Sequence, residues 1–295
     1  MMKRIAAALL AAALFLTLTG CGADASVRRS RKTALQILRG DDLGYSLSTG
    51  ATVENQELYN DGTIIIQLGG ISGTPNDPQL VLAIKNGNRK EISFTPQRCF
   101  INGWQTDCWS DVYQVDGHST ITTTVSISSG LELARISDIN DIKLDFDLYD
   151  KDYESIASRS VSFQTSAEPV EDSFSPASTV VLDDGDFKVV VWLARSGYDN
   201  STQVCTYAEN NTNRAVNITN SKARLNGEPV DYWFFQDISA GARRISSDLL
   251  YDSDSYSSLE LTDSDTLTYT LQISDSDTSV QLLTQEVTLT LADLQ

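Results

Sequence analysis

The sequence predicts an all-β protein whose body consists of two tandem antiparallel β-sandwich domains. Three observations support this fold class: a repeat of domain length, apolar and polar residues that alternate with a period of two, and a body in which no segment carries the apolar stripe of an amphipathic helix. A strand with one buried and one solvated face produces such an alternation, so each predicted sheet has one face against a core.

The repeat is found when the sequence is compared with itself after a shift of 124 residues. Residues 80–86 then align with 204–210, and one further residue of shift aligns 136–150 with 261–275. Solenoid repeats span roughly 20 to 50 residues, so this longer period indicates two copies of a whole domain. We expect domain 1 at 46–168, a linker at 169–175, and domain 2, the repeat of domain 1, at 176–295.

The strands are clearest near the end of each copy. Ile142, Leu144 and Phe146 alternate with polar residues in copy one, and residues 267–273 repeat the pattern in copy two. Roughly seven or eight short strands in a domain of this length are typical of an immunoglobulin-like sandwich. The Cys…Trp…Cys spacing of true immunoglobulin domains is absent, so the prediction concerns sandwich architecture only.

The first twenty residues have the anatomy of a signal peptide. Lys3 and Arg4 precede an apolar run that is too short to span a bilayer, and the run ends at Leu18-Thr19-Gly20-Cys21. These four residues resemble the bacterial lipobox. The resemblance implies removal of residues 1–20 and a lipid on Cys21, which would tether the exported chain to a bacterial membrane. The alternative is an ordinary secretory signal that is cut after Ala23 or Ala25.

The segment 21–45 is predicted to be a basic linker beside this anchor. Its cations Arg28, Arg29, Arg31 and Lys32 can contact anionic lipid headgroups, or they can simply be solvated. The lipobox, the two Asn-Gly pairs and the late alternating strands together resemble bacterial surface lipoproteins with tandem immunoglobulin-like domains of unknown function. That resemblance implies a surface location and a binding role, and it implies no particular reaction.

Charge and composition exclude several function classes. From residue 46 onward the chain has 15 Lys and Arg against 37 Asp and Glu, which is a surface that repels nucleic acid. The single histidine, His118, aligns with Ala242 of copy two, so a Ser-His-Asp triad is not predicted. We expect no enzyme. A hydrolase that uses paired carboxylates is the least favoured alternative.

The Asn-Gly pairs at residues 102–103 and 226–227 predict hairpin turns. A two-residue turn would place Cys99 opposite Thr106, whereas a four-residue loop would place it opposite Cys108. Pro229 in copy two favours the longer loop, because proline cannot donate to a strand ladder. We therefore predict a disulfide between Cys99 and Cys108, with free thiols as the alternative.

The hairpin tips are the predicted partner contacts. The longer loop leaves Trp104 exposed at the tip, unless it folds back onto its own sheet. Trp109 and Trp233 occupy equivalent positions in the two copies, which favours a role in core packing. The candidate contact residues are Asn102, Gly103, Trp104, Asn226, Gly227 and Glu228.

Calcium is the inorganic ligand that the sequence motivates best, since carboxylate pairs recur where strands of copy two end. Solvated turns are the alternative, and no other cofactor is predicted. The expected function is a binding or spacer module at the cell envelope, with an envelope protein or a cell-wall ligand as partner, and a calcium-stabilised surface protein is the second hypothesis. The candidate metal ligands are Asp252, Asp254, Asp263, Asp265, Asp275 and Asp277.

Overall fold

A computed structural model describes residues 30–128, 133, 137–169, 179–195, 202–252, 259, 261–262 and 264–290. The predicted signal peptide and Cys21 lie outside this part of the chain. Strands that pair almost entirely antiparallel dominate the described residues, together with one short helix, which confirms the all-β prediction. Among the described residues, no helix is long and apolar enough to cross a membrane.

The helix, α1, runs through residues 30–37. The strands of the first half of the chain are β1 (Gln56–Asn60), β2 (Ile64–Thr74), β3 (Asp77–Asn86), β4 (Ile92–Ile101), β5 (Trp104–Ser110), β6 (Gln114–Val115), β7 (Ser119–Ser128), β8 (Asp141–Asp150) and β9 (Ser155–Gln164). Those of the second half are β10 (Thr179–Asp183), β11 (Phe187–Arg195), β12 (Thr202–Asn210), β13 (Val216–Leu225), β14 (Glu228–Asp231), β15 (Phe235–Ile238), β16 (Arg243–Leu249), β17 (Tyr251–Asp252), β18 (Thr266–Asp275) and β19 (Gln281–Thr290).

The chain divides into two compact units that differ in one respect from the two sequence repeats. Unit 1 consists of Met1–Arg98, Cys108–Ile127 and Lys143–Ala167. Unit 2 consists of Glu168–Gln295 together with two segments of the first repeat, Cys99–Asp107 and Ser128–Ile142. The hairpin tip between β4 and β5 therefore belongs to unit 2.

In unit 1, strands β1, β2, β3 and β7 are antiparallel neighbours. Helix α1 packs on this sheet, where Ala34 and Ile37 are fully buried with Val81 and Ala83 of β3. Gly69 of β2 permits the approach, since a Cβ there would lie 2.6 Å from the Ile37 side chain. Residues 30–37 of the segment predicted as a linker therefore form a helix, in which two apolar residues three apart bury one face.

Unit 2 has one core between two antiparallel groups of strands. Strands β10, β11, β12 and β16 form one group, and β13, β18 and β19 form the centre of the other. Val191 and Val204 of the first group and Ile218 and Leu271 of the second belong to the same buried cluster. The alternation predicted for residues 267–273 is confirmed, since β18 buries every second residue.

Both Asn-Gly pairs form two-residue turns. Asn102 and Gly103 have φ of 51° and 78°, and Asn226 and Gly227 have 53° and 89°, as the tight hairpin turn requires. Cys99 consequently pairs with Thr106 across the hairpin, and no disulfide joins Cys99 to Cys108 among the described residues. The predicted four-residue loop is wrong: Pro229 pairs with Arg224 at a strand end, where its missing N–H is tolerated.

Two buried asparagines that the sequence alignment places at equivalent positions make matching hydrogen bonds. The side-chain amide of Asn86 donates to the carbonyl groups of Lys90 and Val115, both at 2.9 Å. Asn210, 124 residues later, donates in the same way to Arg214 at 2.8 Å and Ile238 at 3.2 Å. Each asparagine thus holds the end of its strand against two loops.

Candidate functional site

The asparagines of the hairpin turns have a structural task. The Asn102 side chain donates to the carbonyl oxygen of Asp138 at 3.0 Å and accepts from the amide of Asp141 at 3.0 Å. Asn226 donates to Asp265 at 2.8 Å and accepts from the amide of Thr266 at 2.9 Å. Both side chains therefore fix the start of a later strand. Of the predicted contacts other than the two asparagines and Trp104, Gly103, Gly227 and Glu228 are exposed, and Glu228 is the one of these three that carries a side chain.

Trp104 is buried, so the exposed tip predicted for it is wrong. Only 2% of its surface is accessible. Its ring meets the edge of Tyr207 with centroids 5.6 Å apart, and the Arg243 guanidinium lies 4.3 Å from its centroid. Both neighbours belong to unit 2, in which the ring serves as a core residue.

Trp109 and Trp233 are exposed, which overturns the prediction that they pack in the core. Their exposed fractions are 43% and 62%. Trp233 also stacks on Phe235, itself exposed, with ring centroids 6.0 Å apart and planes inclined by 16°. The repeat therefore places a solvent-facing tryptophan at the same position in both copies. The sequence carried that signal in the alignment of Trp109 with Trp233, but periodicity alone does not separate a buried tryptophan from an exposed one.

Neither protein-family models nor curated proteins gave a match to this chain.

A second aromatic surface lies in unit 1, and sequence reasoning missed it. Tyr113, Tyr149 and Tyr153 line a cleft of about 560 Å³ together with Ser93, Thr95 and Asp111. Tyr153 is 76% exposed and has a positive φ of 61°, a conformation that non-glycine residues rarely adopt. The Tyr149 hydroxyl donates to Asp147 at 3.0 Å, which fixes one wall of the cleft. Tyrosines of this kind offer an apolar ring and a polar tip to a ligand.

The three described cysteines differ in their access to solvent. Cys99 and Cys205 are buried, and Cys108 is partly exposed. Burial, with a smaller contribution from the negative charge of Asp248, raises the pKa of the Cys205 thiol to about 12. Because the thiolate is the reactive form, the buried Cys205 is expected to be inert.

We expect a maleimide reagent at pH 7.5 to modify Cys108 in the native protein and to leave Cys205 unmodified. Mass spectrometry of tryptic peptides after brief labelling measures both positions. Labelling in denaturant is the control, since unfolding removes the burial that protects Cys205. A Cys108 that resists the reagent until a reductant is added would contradict the structure and support the disulfide.

The acidic pairs that were calcium candidates are occupied by turn hydrogen bonds where the structure describes them. Asp265 accepts from the Asn226 side chain and the Thr262 amide, and these bonds lower the pKa of its carboxyl group. Asp275 accepts from the amides of Asp277 and Thr278, which also lowers its pKa. Asp252 ends β17, whereas Asp254 and Asp263 lie outside the described residues. No group of three or more acidic, cysteine or histidine side chains suited to a metal is found within the described ranges.

His118 occupies a left-handed backbone position. Its φ is 56°, and Gly241 of the second repeat has 66°. The turns around them match, because Ser119 donates to Asp116 and Ala242 donates to Ser239. The alignment of His118 with Ala242 was thus wrong by one residue, and the true counterpart is Gly241.

Asp248 is the most perturbed carboxyl group of the described residues. Burial raises its pKa to about 6, against the opposing effects of a hydrogen bond from Ser246 and the charge of Arg244. It lies near the buried Cys205 and Tyr232 in the interior of unit 2. Cys205 and Tyr232 are buried, whereas Asp248 itself is partly exposed, so the raised pKa bears first on stability.

We expect Asp248→Asn to stabilise the protein above pH 6 by about 1–2 kcal/mol. The pKa is higher in the folded state, about 6, than its ordinary value of 3.8, so folding favours the protonated carboxyl. The favourable contribution is complete below pH 3.8 and is lost as the pH rises through 6. Urea unfolding at pH 4, 7 and 8 measures the difference from wild type. The exposed Asp231→Asn is the control, and a pH-independent difference for Asp248→Asn would contradict the expectation.

Proposed function

We propose that this protein is a lipid-anchored binding module of the bacterial envelope, in which two immunoglobulin-like β-sandwiches hold exposed aromatic side chains toward an envelope component. The observation that carries the proposal is the exposed tryptophan at the same place in both repeats. A buried ring would need no further explanation. A 62% exposed Trp233 that stacks on the exposed Phe235 is an apolar surface of the kind that partners cover.

The Tyr113–Tyr149–Tyr153 cleft supports the same function from unit 1. Strand-rich scaffolds hold recognition residues on rigid frames, and two of these tyrosines, Tyr113 and Tyr153, are 49% and 76% exposed. The partner is an envelope protein or a cell-wall polymer with an apolar face that can stack on aromatic rings. A spacer that only lifts another part of the protein from the membrane would not require such surfaces.

Photo-crosslinking in living source cells tests the binding role. A photoreactive amino acid is placed at Trp109, at Trp233 and at Glu228 in separate variants, and adducts are identified by mass spectrometry. The control position is Val280 of unit 2. It is 58% exposed and belongs to neither of the proposed aromatic surfaces. We expect discrete adducts from the tryptophan positions and none from Val280. Protein present at the surface without any adduct would instead support the spacer.

Membrane anchoring is tested separately by Cys21→Ser. Lipid on Cys21 would keep the chain in the membrane fraction, so we expect the substitution to move the protein to the soluble extracytoplasmic fraction. Metabolic labelling with a palmitate analogue should mark wild type and leave Cys21→Ser unmarked. A variant that stays membrane-bound and labelled would contradict the lipobox.

A further inference from the structure

A cationic pocket lies on unit 1, although the body of the protein is strongly acidic. The cavity has a volume of about 730 Å³, which is within the range of small-ligand sites. Its lining residues supply Arg31, Arg39, Lys85 and His118 against one carboxylate, Glu57. The whole chain has 40 acidic residues against 22 Lys and Arg, so this local excess of cations runs against the composition.

The floor of the pocket is built by three neighbouring strands. Ile65 of β2 pairs with Lys85 of β3, and Lys85 pairs with Thr120 of β7. Side chains at paired positions lie on the same sheet face, so the Lys85 ammonium group is flanked by an apolar residue and a hydroxyl. Lys85 stands one residue before Asn86, whose buried side chain holds the strand end in place.

Helix α1 and the turn that follows it form one wall of the pocket and supply Arg31 and Arg39. Ser30 fastens the helix to β7, since its Oγ accepts from the Thr122 amide at 3.0 Å and its carbonyl accepts from the Thr122 hydroxyl at 2.8 Å. Arg39 follows the helix, and its Nε donates to the Leu35 carbonyl oxygen at 3.0 Å. That bond restrains the guanidinium group at the mouth of the pocket, where its remaining N–H groups can meet an anion.

The opposite wall contains His118 in its left-handed conformation. The preceding Gly117 is required, because a Cβ there would lie 2.2 Å from the Arg89 carbonyl oxygen. The second repeat keeps the same turn with Gly241 at the His118 position. Glycine adopts a positive φ more readily than histidine does. Copy one therefore retains a histidine where the backbone alone favours glycine, and strain of this kind is concentrated at functional sites.

Two of the four nitrogen-bearing side chains of the pocket, Lys85 and His118, have no cationic counterpart in the second repeat. Position 85 corresponds to Glu209 in the second repeat, where Glu209 pairs with Arg243 as Lys85 pairs with Thr120. Two of the pocket's nitrogen-bearing side chains are thus replaced by a carboxylate and a glycine. The duplicated fold does not need these side chains for its stability.

We propose that this pocket binds a phosphate ester. Two guanidinium groups, an ammonium group and an imidazole match the oxygens of a phosphate, with Ser119 and Thr120 as hydroxyl partners. Leu35, Leu38 and Ile65 provide an apolar side for the organic group of the ester. Two sources share this chemistry: the headgroup of a phospholipid and a soluble phosphate ester. With Cys21 lipidated, eight residues lie between the anchor and residue 30, a reach of at most about 30 Å.

The test is calorimetric titration of the full chain carrying Cys21→Ser with glycerol 3-phosphate at low ionic strength, alongside flotation with vesicles of phosphatidylglycerol or of phosphatidylcholine. The Cys21→Ser background prevents a lipid on Cys21 from carrying the protein to either kind of vesicle. The site variant is Lys85→Glu, which installs the residue of the second repeat. Lys188→Glu is the control, because Lys188 is a partly exposed lysine of unit 2, paired with Asp183 at 3.7 Å, and its substitution makes the same change of charge away from the pocket. A second site variant, His118→Gly, removes the imidazole and relieves the backbone.

We expect Lys85→Glu to weaken binding at least about tenfold and His118→Gly to weaken it several-fold, while Lys188→Glu binds like wild type. His118→Gly should unfold at the wild-type temperature or higher, which separates loss of a ligand contact from loss of fold. Binding of glycerol 3-phosphate without vesicle flotation identifies a soluble ester, and flotation on phosphatidylglycerol identifies the headgroup. Wild type that binds neither probe, or a loss that is equal in Lys188→Glu, would overturn the proposal. Neither result depends on the exposed tryptophans, so it is distinguishable from failure of the crosslinking experiment.

Discussion

Trp104→Ala is expected to lower the free energy of unfolding by about 3–5 kcal/mol, the usual cost of removing a buried tryptophan. The ring is 2% exposed and is held between Tyr207 and Arg243. Its loss removes an edge-to-face aromatic contact and a cation–π contact in addition to the buried area. Urea unfolding followed by circular dichroism measures the effect, and Trp104→Phe should recover part of it.

The matched controls are Trp109→Ala and Trp233→Ala. Both rings are exposed, so each substitution should change the free energy of unfolding by less than about 1 kcal/mol. These two variants should instead reduce crosslinking to the envelope partner. Equal destabilisation by all three substitutions would show that the assignment of one buried and two exposed tryptophans is wrong.

Asn210→Ala is expected to destabilise the protein by about 2–4 kcal/mol, because it leaves buried carbonyl groups without their donor. The side-chain amide donates to Arg214, Ile238 and Ser239 at distances of 2.8, 3.2 and 3.0 Å. Its carbonyl oxygen accepts from the Thr212 amide at 3.1 Å. One substitution therefore releases two loops from the end of β12.

Thermal and urea unfolding of Asn210→Ala should be compared with Asn86→Ala and with the exposed Asn213→Ala. The equivalent Asn86 makes the same bonds in unit 1, so we expect a similar loss there and almost none for Asn213. If Asn210→Ala unfolds like Asn213→Ala, these hydrogen bonds contribute little, and the similarity of the two repeats would have to rest on apolar packing alone.

The repeat and the strand alternation could be predicted because both depend on local pattern. Residues 142–148 and 267–273 bury one face of a sheet, and that face is visible in the sequence as a period of two. The helix at residues 30–37 was missed because it buries only Ala34 and Ile37 closely, a stripe too short to stand out beside a run of cations.

The tryptophans could not be assigned from the sequence, because their environment is tertiary. Trp104 looked exposed since it follows a turn, yet contacts with residues more than a hundred positions later bury it. The hairpin register failed for a local reason: Pro229 was taken to exclude a strand, although it lies at a strand end. The cationic pocket could not be predicted because its side chains come from a helix, four strands and the turns beside them.

Ala83 and Tyr207, at equivalent positions of the two repeats, are each covered by a segment that lies elsewhere in the chain. Ala83 lies under helix α1, whereas its counterpart Tyr207 lies under Trp104 of the preceding repeat's hairpin. The helix therefore acts as an initiating cap, and the Trp104 hairpin acts as a connector that completes the repeat after it. The same hairpin of the second repeat carries Glu228 and Pro229 in place of Trp104 and Gln105, and both are exposed. The first repeat thus contacts the residues after it through the two positions that follow its Asn-Gly turn, Trp104 and Gln105, and the second repeat carries neither side chain there.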